Sequence, residues 1–127
     1  MNATPSSILI VDDSDAVRSV VRIFLERDPA FIVCGEAANG PEAIQKAQEL
    51  QPDLILLDMK LPGMNGIEAA NALKTVLPTA KLVLFSAYIE SPGGRTWAAA
   101  AGVDLVVPKG SLIDMADSLR SLAARSA

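Results

Sequence analysis

Short, continuous apolar runs recur along the chain. Four are clear, and a fifth, at residues 31–34, is weaker. The four clear runs cover residues 8–11, 53–57, 81–85 and 104–107. A strand with one buried face alternates apolar and polar residues, whereas a strand covered on both faces is apolar throughout. The pattern therefore predicts five strands that are buried on both sides.

The segments between these runs carry apolar residues at helical spacing. The stripes are Val17, Val20, Val21, Phe24 and Leu25; Ala43, Ile44, Ala47 and Leu50; Ile67, Ala70, Leu73 and Leu77; and Met115, Leu119 and Leu122. A shorter, alanine-rich helix is predicted at residues 95–101. Ser14 is suited to cap the first helix, and Pro41 is suited to the first turn of the second helix. Ser111 and Asp114, before the last helix, resemble a capping box.

Strand and helix alternate five times, which predicts an α/β fold with a doubly wound parallel sheet and helices on both faces. No linker or repeat interrupts the alternation, so we expect one domain over residues 1–127, with residues 1–6 as a disordered tail. The carboxyl ends of parallel strands share one edge of the sheet, and α/β proteins place their ligand sites there.

Half of the residues are apolar, and the mean hydropathy of +0.33 is high. A membrane helix needs about 18 consecutive apolar residues, whereas the runs here are only as long as residues 54–57. Residues 1–7 contain no basic-then-apolar leader. A buried sheet explains the hydropathy, and no membrane contact is expected. The single cysteine, Cys34, cannot form an internal disulfide, which fits a cytoplasmic protein.

The formal net charge is −4, so the domain itself is not expected to bind nucleic acid. The chain contains no histidine. That absence excludes Ser-His and Cys-His catalysis, histidine metal sites and a role as a histidine phosphocarrier. Any chemistry must therefore use carboxylates, hydroxyls and lysine.

Five polar residues come close behind the predicted strands. They are Asp12, Asp13, Asp58, Ser86 and Lys109. Each alone has an ordinary structural explanation, since aspartate often caps a helix and serine or lysine often lies in a surface loop. Chance is a poor explanation for the placement of all five residues at the ends of predicted strands. In a parallel sheet they converge on one edge.

Three carboxylates in one pocket repel one another and need protons or a cation. Mg²⁺ fits best, because it accepts one or two carboxylates together with waters and a phosphate oxygen. A phosphoryl group on Asp58 would also need a cationic side chain and a hydroxyl donor, which Lys109 and Ser86 supply. The set therefore predicts an aspartate that accepts a phosphoryl group.

Four segments resemble the signature blocks of response-regulator receiver domains of two-component signalling systems, in particular the single-domain, chemotaxis-regulator type. They read ILIVDDSDAVR, DLILLDMKLPGMNGIE, LVLFSAY and VVPKG. The similarity runs from Ser7 to about Ala124. The resemblance implies a flavodoxin-like (βα)5 fold with strand order 2-1-3-4-5.

The resemblance also implies roles for the acidic residues. Asp58 would be the phosphoacceptor, Asp13 a direct Mg²⁺ ligand, and Asp12 a ligand through water. The backbone carbonyl of Lys60 would be a further ligand. The Lys60 side chain is a departure from the family pattern, because it puts a long cation at the mouth of the pocket.

On the same basis, Ser86 would move toward the phosphoryl group, with Lys109 as its ion-pair partner. Two further departures lie nearby. The family commonly has a proline directly after this lysine, whereas here Pro108 precedes it. The family also favours an aromatic residue three positions before the lysine, where this chain has Val106.

The function implied is signal transduction by phosphorelay. Upstream, the partner would be a sensor histidine kinase or a histidine phosphotransfer protein. A downstream protein of unknown identity would bind the surface of the fourth helix, fifth strand and fifth helix. The chain would be a monomer or weak homodimer and not an enzyme, beyond self-catalysed phosphoryl transfer and slow autodephosphorylation.

Two alternatives remain. The chain is either a complete regulator or the excised receiver of a longer DNA-binding response regulator. The more remote alternative is a phosphatase of the haloacid dehalogenase type, because Asp13, Ser14 and Asp15 resemble its nucleophile motif. Against it, no further acidic pair suited to that chemistry follows Lys109, and 127 residues leave no room for a cap module.

Overall fold

The computed structural model describes residues 4–86, 102–108 and 111–125. The main strands are β1 (Ser6–Val11), β2 (Phe31–Ala37), β3 (Leu54–Asp58), β4 (Lys81–Ser86) and β5 (Leu105–Pro108). The helices are α1 (Asp15–Glu26), α2 (Gly40–Leu50), α3 (Gly66–Val76) and α4 (Leu112–Arg125). A pair of two-residue strands, Lys60–Leu61 and Met64–Asn65, follows β3. The predicted helix at 95–101 lies outside the described residues, so α4 corresponds to the fifth predicted helix.

The main strands form one five-stranded sheet in the order β2-β1-β3-β4-β5, and every neighbouring pair is parallel. The predicted flavodoxin-like order 2-1-3-4-5 is therefore confirmed. The chain first builds outward from β1 to β2 and then returns to place β3 on the other side of β1. The carboxyl ends of β1 and β3 consequently flank the switch point, where open α/β sheets bind their ligands.

The sheet separates two apolar clusters. On one face, Ile10 packs in a cluster with Leu25 of α1 and Leu119 of α4. On the other face, Leu9 packs in a cluster with Leu73 of α3 and with residues of α2. Consecutive β1 residues thus point to opposite faces, as expected for a strand buried on both sides. No helix in the described part of the chain is both long and apolar enough to cross a membrane.

The apolar stripes of the helices face these clusters, but the buried stripe of α1 is narrower than the sequence pattern predicts. Val21 and Leu25 are buried, as are Met115 and Leu119. Val20 is 53% exposed, because it lies at the edge of the stripe, whose centre is formed by Val21 and Leu25. Two further stripe residues are partly exposed, Leu50 at 41% and Ile67 at 36%.

The predicted helix starts are confirmed. The Ser14 hydroxyl accepts a hydrogen bond from the Val17 N–H at 3.2 Å. The Ser111 hydroxyl accepts one from the Asp114 N–H at 3.2 Å. Pro41 lies in the first turn of α2. Each cap satisfies a backbone N–H that has no partner within its helix.

Two aspartates lie just before strands at the amino edge of the sheet, and we call them the amino-edge aspartates. The Asp53 Oδ2 atom accepts from the Ser7 N–H at 2.9 Å, and the Asp53 N–H donates to the Ser7 hydroxyl at 3.0 Å. Asp104 Oδ2 accepts from the Leu82 N–H at 2.8 Å and from Lys74 Nζ at 2.9 Å. The sequence predicts both residues inside strands, and their backbones do pair with the neighbouring strand, since the Asp53 N–H donates to the Ser7 carbonyl at 3.0 Å and the Asp104 N–H to the Leu82 carbonyl at 2.8 Å. The strands themselves begin one residue later, at Leu54 and Leu105.

At the same edge of the sheet, β1 overlaps the predicted disordered tail, residues 1–6, by one residue. The strand begins at Ser6, which pairs with Phe31. The Ser6 N–H donates to the Ala30 carbonyl at 2.9 Å, and this hydrogen bond extends the sheet. The assignment of residues 1–127 to one domain stays a prediction.

Candidate functional site

The turn after β1 carries two aspartates in different environments. Asp12 is 3% exposed, whereas Asp13 is exposed. The Asp12 N–H donates to the Ala37 carbonyl at the end of β2 at 3.0 Å. Asp12 Oδ1 accepts from the Ser14 N–H at 2.9 Å. Because Ser14 also caps α1, the passage from strand to helix holds the Asp12 carboxylate in place.

Asp58 is the last residue of β3 and is 7% exposed. Val11 of β1 pairs with Leu57 of β3. Asp12 and Asp58 therefore leave two neighbouring strands at the same level of the sheet. A carboxylate at this depth is costly in free energy unless its charge is compensated.

The three carboxylates converge as the strand ends predict. One carboxylate oxygen from each of Asp12, Asp13 and Asp58 lies within 4.8 Å of the others. All donors in this set are hard oxygens, and the exposed Asp13 leaves one side open to water. Mg²⁺ requires this kind of site, with few carboxylates and room for its remaining waters. The described residues thus fit a Mg²⁺ ion.

The segment after β3 folds back as a tight hairpin. Lys60–Leu61 pairs antiparallel with Met64–Asn65, and the Gly66 N–H donates to the Met59 carbonyl at 2.8 Å. A Cβ atom on Gly66 would lie 2.9 Å from the Met59 backbone, so only glycine allows this approach. The hairpin holds the backbone of Lys60, two residues after Asp58, by pairing it with Asn65. The role of the Lys60 carbonyl as a metal ligand stays a prediction.

The fourth and fifth site residues are only partly covered by the described chain. Ser86 ends β4 and pairs with Pro108 of β5. Phe85 pairs with Asp58, so the Ser86 backbone lies one position further along the same edge. The structure therefore brings Ser86 to the predicted edge of the sheet. Lys109 lies outside the described residues, and its role stays a prediction.

Sequence reasoning missed a charged network behind the acidic turn. The Arg18 side chain, which is 12% exposed, donates to the Asp12 backbone carbonyl and to Asp15 Oδ1, and through Nε to Glu36 Oε1 at 3.0 Å. Arg22, one turn later, donates to Glu36 Oε2 at 2.8 Å. The spacing of the two arginines is visible in the sequence. Their shared partner is not, because Glu36 lies on β2.

This network holds Glu36 in its charged form. Hydrogen bonds from Arg22, and to a lesser extent from Arg18, lower the pKa of Glu36, although burial acts in the opposite direction. The pKa of Arg22 is raised in turn by Glu36 and by Glu26. The acidic turn is therefore backed by ion pairs that stay charged at neutral pH.

Residues 8–119 match the family model of the response regulator receiver domain. The chain belongs to this family. The match contains every site residue predicted above, and the resemblance drawn from the signature segments is confirmed. Because the chain belongs to this family, the alternative of a dehalogenase-type phosphatase, which would use Asp13, loses its support.

Individual relatives agree with this assignment. Response regulator protein VraR of Staphylococcus aureus is 40% identical over 114 residues, which are 89% of this chain and 54% of that protein. A LuxR-family response regulator from Aurantimonas sp. SI85-9A1 superimposes with a TM-score of 0.89 at 30% identity, over 95% of this chain and 86% of that one.

A chain in the structure of the CheA3 P1 domain in complex with CheY6 from R. sphaeroides gives a TM-score of 0.81 at 33% identity, with 96% and 99% of the two chains covered. This receiver domain spans 39% to 56% of the length of the curated relatives it matches.

Proposed function

We propose that this receiver domain accepts a phosphoryl group on Asp58 in a Mg²⁺-dependent reaction and thereby switches its surface for partner binding. The observation that carries the proposal is the cluster of Asp12, Asp13 and Asp58, whose carboxylate oxygens lie within 4.8 Å of one another at the carboxyl edge of the sheet. Asp58 ends the strand at the switch point, where the family's phosphoacceptor is expected.

In the proposed transfer, a carboxylate oxygen of Asp58 attacks phosphorus, and the phosphorus–nitrogen bond of a donor phosphohistidine breaks. An acyl phosphate forms, and the donor imidazole takes up a proton from solvent. Bound Mg²⁺ would supply positive charge to the phosphoryl oxygens. Asp12 and Asp13 would hold the ion together with Asp58 and the carbonyl of Lys60.

The remaining contacts to the phosphoryl group are assigned to Ser86 and Lys109. A hydroxyl and an ammonium at this edge would donate to oxygens that carry more charge during transfer. The chain is proposed to act as a switch and not as an enzyme with turnover, since its own Asp58 is consumed and is restored only by slow autodephosphorylation. This function belongs in the cytoplasm, where histidine kinases expose their phosphorylated residues.

The proposed donor is a sensor histidine kinase or a histidine phosphotransfer protein. The similar chain in the CheA3–CheY6 structure supports it, because that receiver is recorded with a P1 domain. Output is assigned to the surface of residues 95–101, β5 and α4, with an unidentified protein as partner. A monomer or weak homodimer with a net charge of −4 suits a protein partner better than nucleic acid.

A second possibility is that this receiver serves a longer DNA-binding regulator. Two observations favour it: the chain spans only about half of the VraR relative, and one similar structure is a LuxR-family regulator. In that case the switched surface would act on an attached domain. The chemistry at Asp58 would be unchanged.

The test is phosphorylation by acetyl phosphate with Mg²⁺, followed by intact-mass measurement. We expect one phosphoryl adduct, no adduct when EDTA removes the metal, and no adduct on Asp58→Asn. Asp53→Asn is the matched control, because Asp53 lies at the other end of the same strand, and it should still be modified. An equal adduct on Asp58→Asn would overturn the assignment.

Val106 bears on how the switch reaches the surface. It is half-buried against the cluster on the α2–α3 face. A β-branched side chain has few rotamers and little volume to exchange between two positions. We therefore propose that phosphorylation changes residues 87–97 more than β5. Amide exchange with and without beryllofluoride tests this, and changes confined to residues 104–107 would contradict it.

A further inference from the structure

Arg18 joins three separate parts of the receiver at the back of the acidic turn. Its guanidinium donates to the carboxylate of Asp15 at the start of α1, to Glu36 on β2 and to the backbone carbonyl of Asp12 after β1. The side chain is only 12% exposed. A guanidinium can serve three partners at once because its donors are arranged in a rigid, planar fork.

The contact with Asp12 completes a set of restraints on that residue. The Asp12 N–H is held by the Ala37 carbonyl, its Oδ1 accepts from the Ser14 N–H, and its carbonyl accepts from Arg18. Asp12 is therefore tied at its main chain on both sides and at its side chain. The position of the next residue, Asp13, depends on the same peptide unit, since the carbonyl that Arg18 binds belongs to the Asp12–Asp13 bond.

We propose that Arg18 is a positioning residue for divalent-cation binding by the receiver. By holding the Asp12–Asp13 peptide, it keeps two of the three carboxylates in the arrangement that the ion requires. Arg18 itself provides no ligand. The inference rests on the proposed function, because it takes Mg²⁺ as the ion held at Asp12, Asp13 and Asp58.

The charge of Arg18 and its contact with the Asp12 carbonyl predict opposite changes in Mg²⁺ affinity when Arg18 is replaced. As a nearby positive charge, Arg18 would repel a divalent cation, so its loss through charge alone would tighten binding. That effect is small here, since Asp15 and Glu36 already compensate the guanidinium. As an anchor for the turn, its loss would weaken binding, because groups that hold metal ligands in place typically change affinity by about 10- to 100-fold.

Arg22 provides a matched control on the same helix. It binds the other oxygen of Glu36 and also Glu26. The hydrogen bonds of the Arg22 guanidinium that the structure describes go to side chains, Glu26 and Glu36, and lead away from the acidic turn. Replacing Arg18 or Arg22 by glutamine therefore removes one positive charge and one contact with Glu36 in both cases. Only the Arg18 substitution releases the acidic turn.

The experiment measures the Kd for Mg²⁺ alone by calorimetric titration of the full chain, without any phosphodonor. We expect Arg18→Gln to raise the Kd by about tenfold and Arg22→Gln to leave it within about twofold, as for a distant surface ion pair. Arg18→Lys keeps the charge but cannot span three partners, so it should also raise the Kd. It further serves as the second variant if Arg18→Gln folds poorly.

A second measurement, amide hydrogen exchange on the metal-free chain, tests the turn directly. Arg18→Gln should speed exchange of the Ser14 N–H more than Arg22→Gln does. Tighter Mg²⁺ binding by Arg18→Gln, equal Kd values in the two glutamine variants, or full affinity in Arg18→Lys would each overturn the positioning role. Failure of the unaltered chain to bind Mg²⁺ would instead overturn the proposed function, and this inference with it.

Discussion

The two ends of β3 carry the same residue type in opposite circumstances. At the amino end, the carboxylate of Asp53 accepts from the Ser7 N–H, and its backbone N–H donates to the Ser7 hydroxyl. At the carboxyl end, Asp58 lies beside the carboxylates of Asp12 and Asp13. The carboxylate of Asp53 accepts hydrogen bonds from the neighbouring strand. Asp58 belongs to a set whose like charges are most stable with a cation bound.

The difference shows that the role of an aspartate here depends on whether it precedes a strand at the amino edge of the sheet or lies at the carboxyl end of one. Amino-edge aspartates replace backbone hydrogen-bond partners and stabilise the sheet. Carboxyl-edge aspartates form the candidate metal site, where repulsion between like charges is expected to lower stability when no cation is bound. Substitutions at the two edges should therefore affect different measurements, and four predictions test that separation.

The largest effect is expected for Mg²⁺ affinity. Asp13→Ala removes a proposed direct ligand, so we expect the Kd for Mg²⁺ to rise at least about 100-fold, or about 2.7 kcal/mol. Asp53→Ala should leave the Kd unchanged. Calorimetric titration of both variants measures it, and a similar loss in each would end the distinction between the edges.

The second prediction concerns stability at the amino edge. Asp53→Ala removes the carboxylate that accepts from the Ser7 N–H and hydroxyl. Because both hydrogen bonds are exposed and water can replace the acceptor, the free energy of unfolding should fall by about 1 kcal/mol. Urea denaturation measures this loss, and Asp104→Ala should behave similarly because the Leu82 N–H loses its acceptor. Phosphoryl acceptance by the folded fraction should persist. A variant that is fully stable, or that folds but cannot be phosphorylated, would contradict the assignment.

The third prediction concerns repulsion in the acidic cluster. Without metal, Asp13→Ala removes one of three like charges, so the free energy of unfolding should hold or rise by up to about 1 kcal/mol. With saturating Mg²⁺ the order should reverse, since only the unaltered chain gains full stabilisation by binding. Asp15→Ala, at the start of α1, is the control and should be slightly destabilising in both conditions. Loss of stability in metal-free Asp13→Ala would favour a capping role.

The smallest effect concerns pH and salt at the two ends of β2. The pKa of Glu36, near the carboxyl end, is lowered chiefly by Arg22, whereas the pKa of Asp28, before the amino end, is lowered chiefly by the Ala30 N–H. A lowered carboxyl pKa contributes stability above the ordinary value, about 4, and this contribution is lost as pH falls through the folded-state pKa.

Glu36→Gln should therefore cost no more than about 1 kcal/mol at pH 7, and the difference from the unaltered chain should vanish in acid. Asp28→Asn should show the same pH trend. High salt should reduce the Glu36 effect more than the Asp28 effect, because two arginines pair with Glu36, whereas Asp28 pairs with Arg120 alone and depends chiefly on the Ala30 N–H. Thermal denaturation of both variants over a range of pH and salt concentration measures these effects. Identical salt responses would contradict the assignment of different causes to the two lowered pKa values.

The fold and the acidic cluster could be predicted because both follow from topology. Once five apolar strands are read as parallel, Asp12, Asp13 and Asp58 must share an edge. The Arg18–Glu36 pair could not be predicted, since it depends on how far α1 rotates over β2. The exposure of Val20 depends on the same rotation, and helical periodicity alone does not specify it.

The division of the interior by the sheet has a consequence for how such sequences diverge. Val21 and Leu119 share one apolar cluster, while Leu73 lies in the other. A change in side-chain volume can be compensated only by neighbours on its own face, because the backbone of the sheet lies between the clusters. Among homologous receivers, substitutions at position 21 should therefore covary with those at position 119 and drift independently of position 73.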